Sequence, residues 1–381
     1  MKKLNFLVLA TGSQKHLIDA ITTYGHTYEL HDPRSLYLYV SESENGYDRI
    51  YDGLASLDKP IRLKVKNYDA VISRIGAGLE YGANILTHLS ENLKVYTTQT
   101  GEGLLLASNK LRTTMKLSAK GIRVPRTVGA YSPLHPEFLI DKVGGLPAVA
   151  KTLTGSQGKG VIILKDAEQT NTTFEAFWRA ETPLKIQQYI EGGKKDVRAI
   201  VIGNKVVSAM ERTGVKDFRA NLSQGGKAIK VGISELNEKL CVSASQALGL
   251  DFSGVDMMID ENGVAYIIEV NGNPGAGIIG VTGHNHFFDL LDFIEKKLRT
   301  EEKLENVVYE SFKELDDALL TKQDISEHQV CEAGRLALKE FYIRVTTQTE
   351  IKRFCTTSGH GSLMEIFYKN VYRTFLNFNP K

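Results

Sequence analysis

Long apolar runs are missing from this 381-residue chain. None approaches the about 18 consecutive apolar residues that a membrane-spanning helix requires. The first, inside "MKKLNFLVLATGSQK", covers only about six positions, too short for a secretory signal. It reads as a buried strand of a cytoplasmic protein. Cysteine is scarce: Cys241, Cys331 and Cys355 lie far apart with no Cys-x-x-Cys, which argues against a disulfide framework or a thiolate zinc site and fits a reducing compartment. A surplus of one charge is also lacking. The net charge is +2 without long runs of one sign, so charge gives no reason to expect nucleic-acid or membrane binding. Finally, "ATGSQKH" offers one glycine at the first strand–helix turn, where a dinucleotide fold wants Gly-x-Gly-x-x-Gly.

What is present suggests two or three lobes around sizeable cores. "NFLVLA", "QKHLIDAITTYG" closed by Gly25, and "TYEL" read as strand, helix and strand of a doubly wound lobe. "YDAVISRIG" adds a buried strand ending in Arg74 at the rim, and "SNKLRTTMKLSAKG" a helix capped near Ser108 or Asn109. From Pro147 the pattern is mostly strand: "PAVAKTL" and "VIIL" flank "TGSQGKG", and "VRAIVIGNKVVSAMER" carries a turn at Gly203-Asn204. After about residue 299 three helical stripes follow: Leu304 to Leu319, Val330 to Phe341, and Leu363 to Phe375 with a capping box from Ser362 to Glu365. Packing is their default explanation.

"FSGVDMMIDENGVAYIIEVNGNPG" is the informative stretch. With Asn262-Gly263 as a two-residue turn, Glu261 pairs with Val264, and counting back sets Asp256 opposite Glu269. Asn271 shares their face because side chains alternate along a strand. Opposed carboxylates repel, and burial in so apolar a hairpin worsens this unless a cation intervenes. Oxygen ligands with room for water suit Mg²⁺, with Mn²⁺ as a substitute. Mg²⁺ bound this way completes its shell with substrate phosphates. "GSQGKG", Gly155 to Gly160, is a flap whose amides could cover them, Lys151 just before it could reach their oxygens, and Arg219 suits charge on a transferred phosphoryl group. "IQQYI" reads as a hinge where a flat base could pack. His284 and His286 in "GHNH" read as loop residues without a role.

The segments "SRIG", "NKLRTTMKLSAKGIRVP", "VAKTLTGSQGKGV", "QQYI", "DVRAIVIG", "ERTGVKDFRANLSQGG", "FSGVDMM" and "IIEVNGNPG", in this order, resemble the ATP-grasp superfamily, and most closely the RimK-like amino-acid ligases. The resemblance covers roughly residues 1–298. It implies an α/β ATP-grasp fold: an N-terminal doubly wound lobe (1–97), then two α+β lobes (98–185 and 186–298) clasping ATP, with a helical extension (299–381). It implies that Lys110 and Lys151 bind ATP phosphates, and that Gly155, Ser156, Gln157, Gly158 and Gly160 belong to the lid. Gln188, Tyr189 and Ile190 would hold adenine, and Asp196 would lie near the ribose. Arg219 and Asn221 would contact terminal phosphates, while Asp256, Glu269 and Asn271 would hold Mg²⁺. Gln188 stands where RimK-like proteins often carry Glu, which shifts recognition of the adenine amino group toward backbone.

The expected reaction is ATP-driven amide formation through an acyl phosphate, adding glutamate or another amino acid to a peptide or protein end. Arg74, Arg198 and Arg212 are candidate anchors for substrate carboxylates. The acceptor could instead be a small metabolite, a cofactor or a carrier protein, or the product a ring-closed peptide. From other classes come a non-catalytic ATP-binding regulator with a partner-binding tail, and an oligomeric scaffold driven by the tail, where Ala333, Gly334 and Ala337 allow close helix approach. The resemblance also implies a homo-oligomer.

Overall fold

The computed structural model describes residues 2–40, 50–155, 160–191, 195–214 and 227–300. The chain divides into two compact units, Met1–Ile294 and Glu295–Lys381. The stripes expected beyond residue 300 lie outside the described residues, as do Cys331, Cys355, Ser156, Gln157, Gly158, Arg219 and Asn221.

The first apolar run becomes β1 (Asn5–Ala10), buried from Phe6 onward. Helix α1 (Lys15–Thr23) turns Leu17, Ala20 and Ile21 inward and leads to β2 (Thr27–His31), parallel to β1. Short strands β3 (Leu36–Leu38), β4 (Ile50–Asp52) and β5 (Ile61–Arg62) make a small antiparallel sheet. Then β6 (Ala70–Arg74) joins the other side of β1, and α2 (Leu79–Thr87) leads to β7 (Tyr96–Thr97). The order β2-β1-β6-β7 is the doubly wound arrangement, with its reversal between β1 and β6. Arg74 closes β6 beside Ala10.

The helix expected after Ser108 or Asn109 is α4 (Lys110–Ala119), and a shorter helix that was not expected, α3 (Gly101–Ser108), precedes it. Asn109 separates them. Its φ of −111° and ψ of 109° are not helical, and its Oδ1 accepts from the Leu111 and Arg112 amides at 3.1 and 3.0 Å, which caps α4. A second sheet holds β8 (Thr127–Ala130), β9 (Ala148–Thr152), β10 (Val161–Leu164) and β11 (Leu184–Gln188) in the order β10-β9-β11-β8. Helices α5 (Pro136–Val143) and α6 (Ala167–Arg179) cover one face through Ile140, Val143 and Phe174, packed on Ala148, Ala150, Leu184 and Ile186.

The third sheet, antiparallel throughout, runs β14-β13-β12-β15-β16. Its strands are β12 (Lys195–Ile202), β13 (Lys205–Thr213), β14 (Lys227–Lys230), β15 (Phe252–Ile259) and β16 (Ala265–Asn271). Gly203-Asn204 is the two-residue turn expected between β12 and β13, with Ile202 paired to Lys205. Helix α7 (Glu235–Ala247) seals one face, where Cys241 and Ala244 meet Ala199, Val201, Val255, Met257, Ile267 and Val270. The opposite face carries polar chemistry. Short α8 (Gly277–Thr282) follows, and a last helix opens at 287.

Gln99 ties the first sheet to the third. It is fully buried, and its amide donates to the Phe252 and Gly272 carbonyls at 3.1 and 2.9 Å. Its Oε1 accepts from the Thr98 hydroxyl, which in turn accepts from the Ser73 amide. Gln99→Leu strands two buried carbonyls and is expected to lower stability by about 2–4 kcal/mol, measured as a shift in the urea midpoint at unchanged m. A loss below about 0.5 kcal/mol would contradict this tie.

Candidate active site

Asp256 and Glu269 are direct partners across β15 and β16, although the turn between these strands differs from expectation. The Asp260 amide bonds to the Val264 carbonyl and the Gly263 amide to the Asp260 carbonyl, so the loop has three residues, Glu261 to Gly263. Gly263 takes φ +77°, and Asp260 Oδ1 accepts from the Asn262 and Val264 amides. This is the longer hairpin turn with a left-handed third residue. It moves the tip by one place, pairing Met257 with Ile267. A bulge then restores the count, because Ile268 is the extra residue between the Met257–Ile267 and Asp256–Glu269 pairs. Ala265, Ile267 and Val270 can therefore all face the core, with Glu269 and Asn271 on the other side.

Asp256 is neutralised by arginines on β12 and β13. Arg198 grips Asp256 with two bonds of 2.6 Å, and Arg212 Nη2 reaches Asp256 Oδ2 at 3.1 Å. Arg212 also grips Asp196 at 2.6 and 2.8 Å. Burial pushes the Asp256 pKa up, but the two guanidiniums outweigh it and hold it at about 2. Burial likewise opposes the charge on Arg212, and Asp256 and Asp196 raise its pKa regardless. Asn271, with its amide oriented to suit both neighbours, donates to Glu269 Oε1 at 3.1 Å and accepts from Arg198 Nη2 at 3.2 Å. Two expected substrate anchors, Arg198 and Arg212, are thus engaged by acids. Asp196, expected near a ribose, is paired to Arg212.

A hard cation fits this donor set. Asp256, Glu269 and Asn271 offer oxygens on one face, and the Glu269 side chain remains 29% exposed. Among the described residues no cluster of three His, Cys, Asp or Glu forms a metal cage. An ion here would have two carboxylates and one amide, leaving positions for water or phosphate as Mg²⁺ prefers.

The face of the second sheet turned away from α5 and α6 carries lysines. Lys151 and Lys185 are directly opposed across β9 and β11, a like-charged pair in adjacent strands. Lys151 Nζ donates to Gln187 Oε1 at 2.9 Å, and burial pulls its pKa down to about 8. Lys185 is 1% exposed and donates to Thr114 Oγ1 at 2.7 Å. Burial, then the charge of Lys151, lowers its pKa well below the usual value. Lys110, first in α4, donates to the Gly155 carbonyl and stands 3.8 Å from Glu269 Oε1. It links the flap base, the lysine face and the acid pair. Gly155 and Gly160 flank the flap at φ +116° and +72°, conformations that side chains disfavour. At the hinge, Gln188 Oε1 accepts from the Arg126 amide and Nε, Ile190 is buried and Tyr189 half-buried.

Lys185, Gln187 and Thr114 were not anticipated. Alternation in "LKIQQ" held the signal: Leu184 and Ile186 face the helices while Lys185 and Gln187 face away. Arg74 stands apart from this group, at the edge of the first sheet, stacked near Phe252 and Phe287.

The RimK-like ATP-grasp domain model matches residues 107–294. A protein of Legionella pneumophila (strain Corby) named "Probable alpha-L-glutamate ligase" is 35% identical over 304 residues, 78% of this chain and 97% of that protein. Among solved structures, the ATP-grasp ligase PsnB, complexed with a phosphomimetic precursor variant, Mg and ADP, aligns at TM-score 0.59 and 18% identity, covering 77% of this chain and 98% of that one. The macrocyclase MdnC of Microcystis aeruginosa MRC, bound to precursor peptide MdnA, aligns at 0.56 and 14% identity, with coverage of 77% and 99%. These likenesses identify the fold as ATP-grasp.

Two outcomes follow from the charges. Asp256, whose pKa of about 2 in the folded protein lies below that of an ordinary aspartate, 3.8, contributes stability that is complete above pH 3.8 and lost as pH falls through about 2. Arg198→Met should raise that pKa and move the acid-unfolding midpoint, followed by circular dichroism, to higher pH. An unmoved midpoint would show that Arg212 alone suffices. The lysines act oppositely: a depressed amine pKa means that the unfolded chain binds more protons, so stability rises between about pH 8 and 10.5, the Lys151 window. Lys185→Met should raise stability near pH 7 and flatten its pH slope in urea titrations.

Proposed function

This chain belongs to the RimK-like ATP-grasp family of ATP-dependent ligases, and from that membership we propose that it adds an amino acid, glutamate first among candidates, to a carboxylate at the end of a peptide or protein. The observation that carries this is the juxtaposition, through Lys110, of the lysine-bearing face of one sheet with the acid-bearing face of the next. Such an arrangement suits a polyphosphate on one side and its divalent ion on the other. The name of the Legionella relative supports glutamate.

In this reading Lys110 and Lys151 hold ATP phosphates, and Gln188, Tyr189 and Ile190 flank adenine. Gly155 and Gly160, with Ser156, Gln157 and Gly158 between them, form the lid that excludes water. Asp196 reaches the ribose directly or through Arg212. Arg219 and Asn221 meet the terminal phosphates. Asp256, Glu269 and Asn271 hold Mg²⁺, which when bound screens phosphate charge and aligns the terminal group. The γ-phosphoryl group of ATP passes to a carboxylate oxygen of the acceptor, releasing ADP. The amine of the incoming amino acid then attacks the activated carbonyl, loses a proton and expels phosphate, leaving an amide.

Lys151 is suited to its part because it is desolvated. An ammonium whose pKa burial has brought to about 8 regains favourable charge pairing when phosphate oxygens arrive, and in a water-poor site that pairing strengthens as charge develops. We place the reaction in the cytoplasm; no helix among the described residues is long and apolar enough to cross a membrane.

The test is to incubate the protein with ATP, Mg²⁺, glutamate and a peptide library, then read peptide masses and ADP. Increments of one glutamate residue are expected, and Lys151→Met should reduce turnover about 10²-fold or more. Loss of one water from a peptide would instead indicate ring closure. ADP release at background across amino-acid and peptide mixtures, with ATP still bound, would leave a non-catalytic regulator.

A further inference from the structure

We propose that a second site, at the carboxyl edge of the first sheet, binds a substrate carboxylate through Arg74, with His286 and Asn273 as its other polar groups. The choice of ligand rests on the ligase reading; the site itself rests on the following geometry.

Arg74 is 6% exposed, and its Nε donates to Gln14 Oε1 at 2.9 Å. Its Nη1 is shielded from solvent and has no hydrogen-bond partner among the described residues. Burial lowers its pKa only to about 10, so it remains a cation at neutral pH. Arg198 and Arg212, by contrast, each have carboxylates at 2.6 Å. A buried guanidinium without a counter-charge is costly, and a carboxylate is its natural complement.

The surroundings are shaped for the same ligand. The Arg74 guanidinium lies 5.6 and 5.3 Å from the ring centroids of Phe252 and Phe287. The same rings lie 5.8 and 4.6 Å from that of His286. His286 is fully buried and neither ring nitrogen has a partner among the described residues. Burial first, then the positive charge of Arg74, drives its pKa to about 3. It is therefore neutral, with one N–H to donate and no counter-ion needed. Asn273 Oδ1 is likewise buried and unpartnered among the described residues. Asn273 abuts the end of β6, since a Cβ built on Gly76 would come within 3.6 Å of its Nδ2.

Topology places these groups where parallel sheets bind ligands. Arg74 ends β6 at the reversal between β1 and β6, and ligands of doubly wound sheets occupy the crevice outside the strand ends at such a switch point. The acids near the His loop are engaged elsewhere: Asp289 by His284 and Lys205, and Asp292 by Tyr24. Asn273 follows Asn271 by two residues, so a ligand anchored here by one carboxylate can extend toward the acid pair. The site thus selects a substrate end that is held while another part reacts.

The shared chemistry is a carboxylate, and its source is either the incoming amino acid or the peptide end. Binding to the full-length protein is measured by calorimetry for L-glutamate, its α-amide isoglutamine and its γ-amide glutamine, and for one peptide as free acid and as C-terminal amide. Loss of one amide form by about 30- to 100-fold is expected, and which one identifies the source. Arg74→Gln should abolish that preference while the KM for ATP stays within about twofold. His286→Leu should weaken it, which keeps a test in hand if Arg74→Gln does not fold. Equal binding of every acid and its amide, or an unchanged preference in folded Arg74→Gln, would overturn the site. Wild-type protein that binds with this preference yet releases no ADP would sink the ligase reading and leave the site standing.

Discussion

Like charges forced onto adjacent strands must be compensated, and the polar half of this fold is organised by that requirement. The third sheet opposes Asp256 to Glu269 and answers with Arg198, Arg212 and Lys110. The second opposes Lys151 to Lys185 and answers differently, with burial that weakens the charge and neutral acceptors in Gln187 and Thr114. One surface is left with acids whose charge is largely balanced, the other with cations held by neutral acceptors. That asymmetry is what makes the cleft suitable for a polyanion that brings a metal ion with it.

Much of the architecture was legible because the buried strands carry their periodicity openly. "NFLVLA" and "YDAVISRIG" are buried almost throughout, as parallel strands covered on both faces should be. The opposition of Asp256 and Glu269 was also legible, but partly by compensation. The true turn has one residue more than Asn262-Gly263 suggests, and the bulge at Ile268 removes the difference. Pattern reading cannot see a bulge when both flanking residues are apolar, as Ile267 and Ile268 are.

Other features were hidden for definite reasons. Helix α6 has Asn and three Thr among its thirteen residues, poor intrinsic formers that tertiary packing of Phe174 overrides. Lys185 was masked by apolar neighbours, because a lysine in a short strand usually signals an edge. The state of each arginine was beyond reach altogether: Arg74, Arg198 and Arg212 look alike in one dimension, and only three-dimensional pairing separates two engaged guanidiniums from one held in reserve.

The bulge at Ile268 has a consequence for how such a protein could change. A regular ladder transmits any alteration in turn length to every pair behind it, and a one-residue slip would exchange the two faces of the strand. Here an unpaired position intervenes between tip and chemistry, so the hairpin has slack. A lineage could lengthen or shorten its outer end to meet a new macromolecular neighbour, while the acids behind keep their alignment.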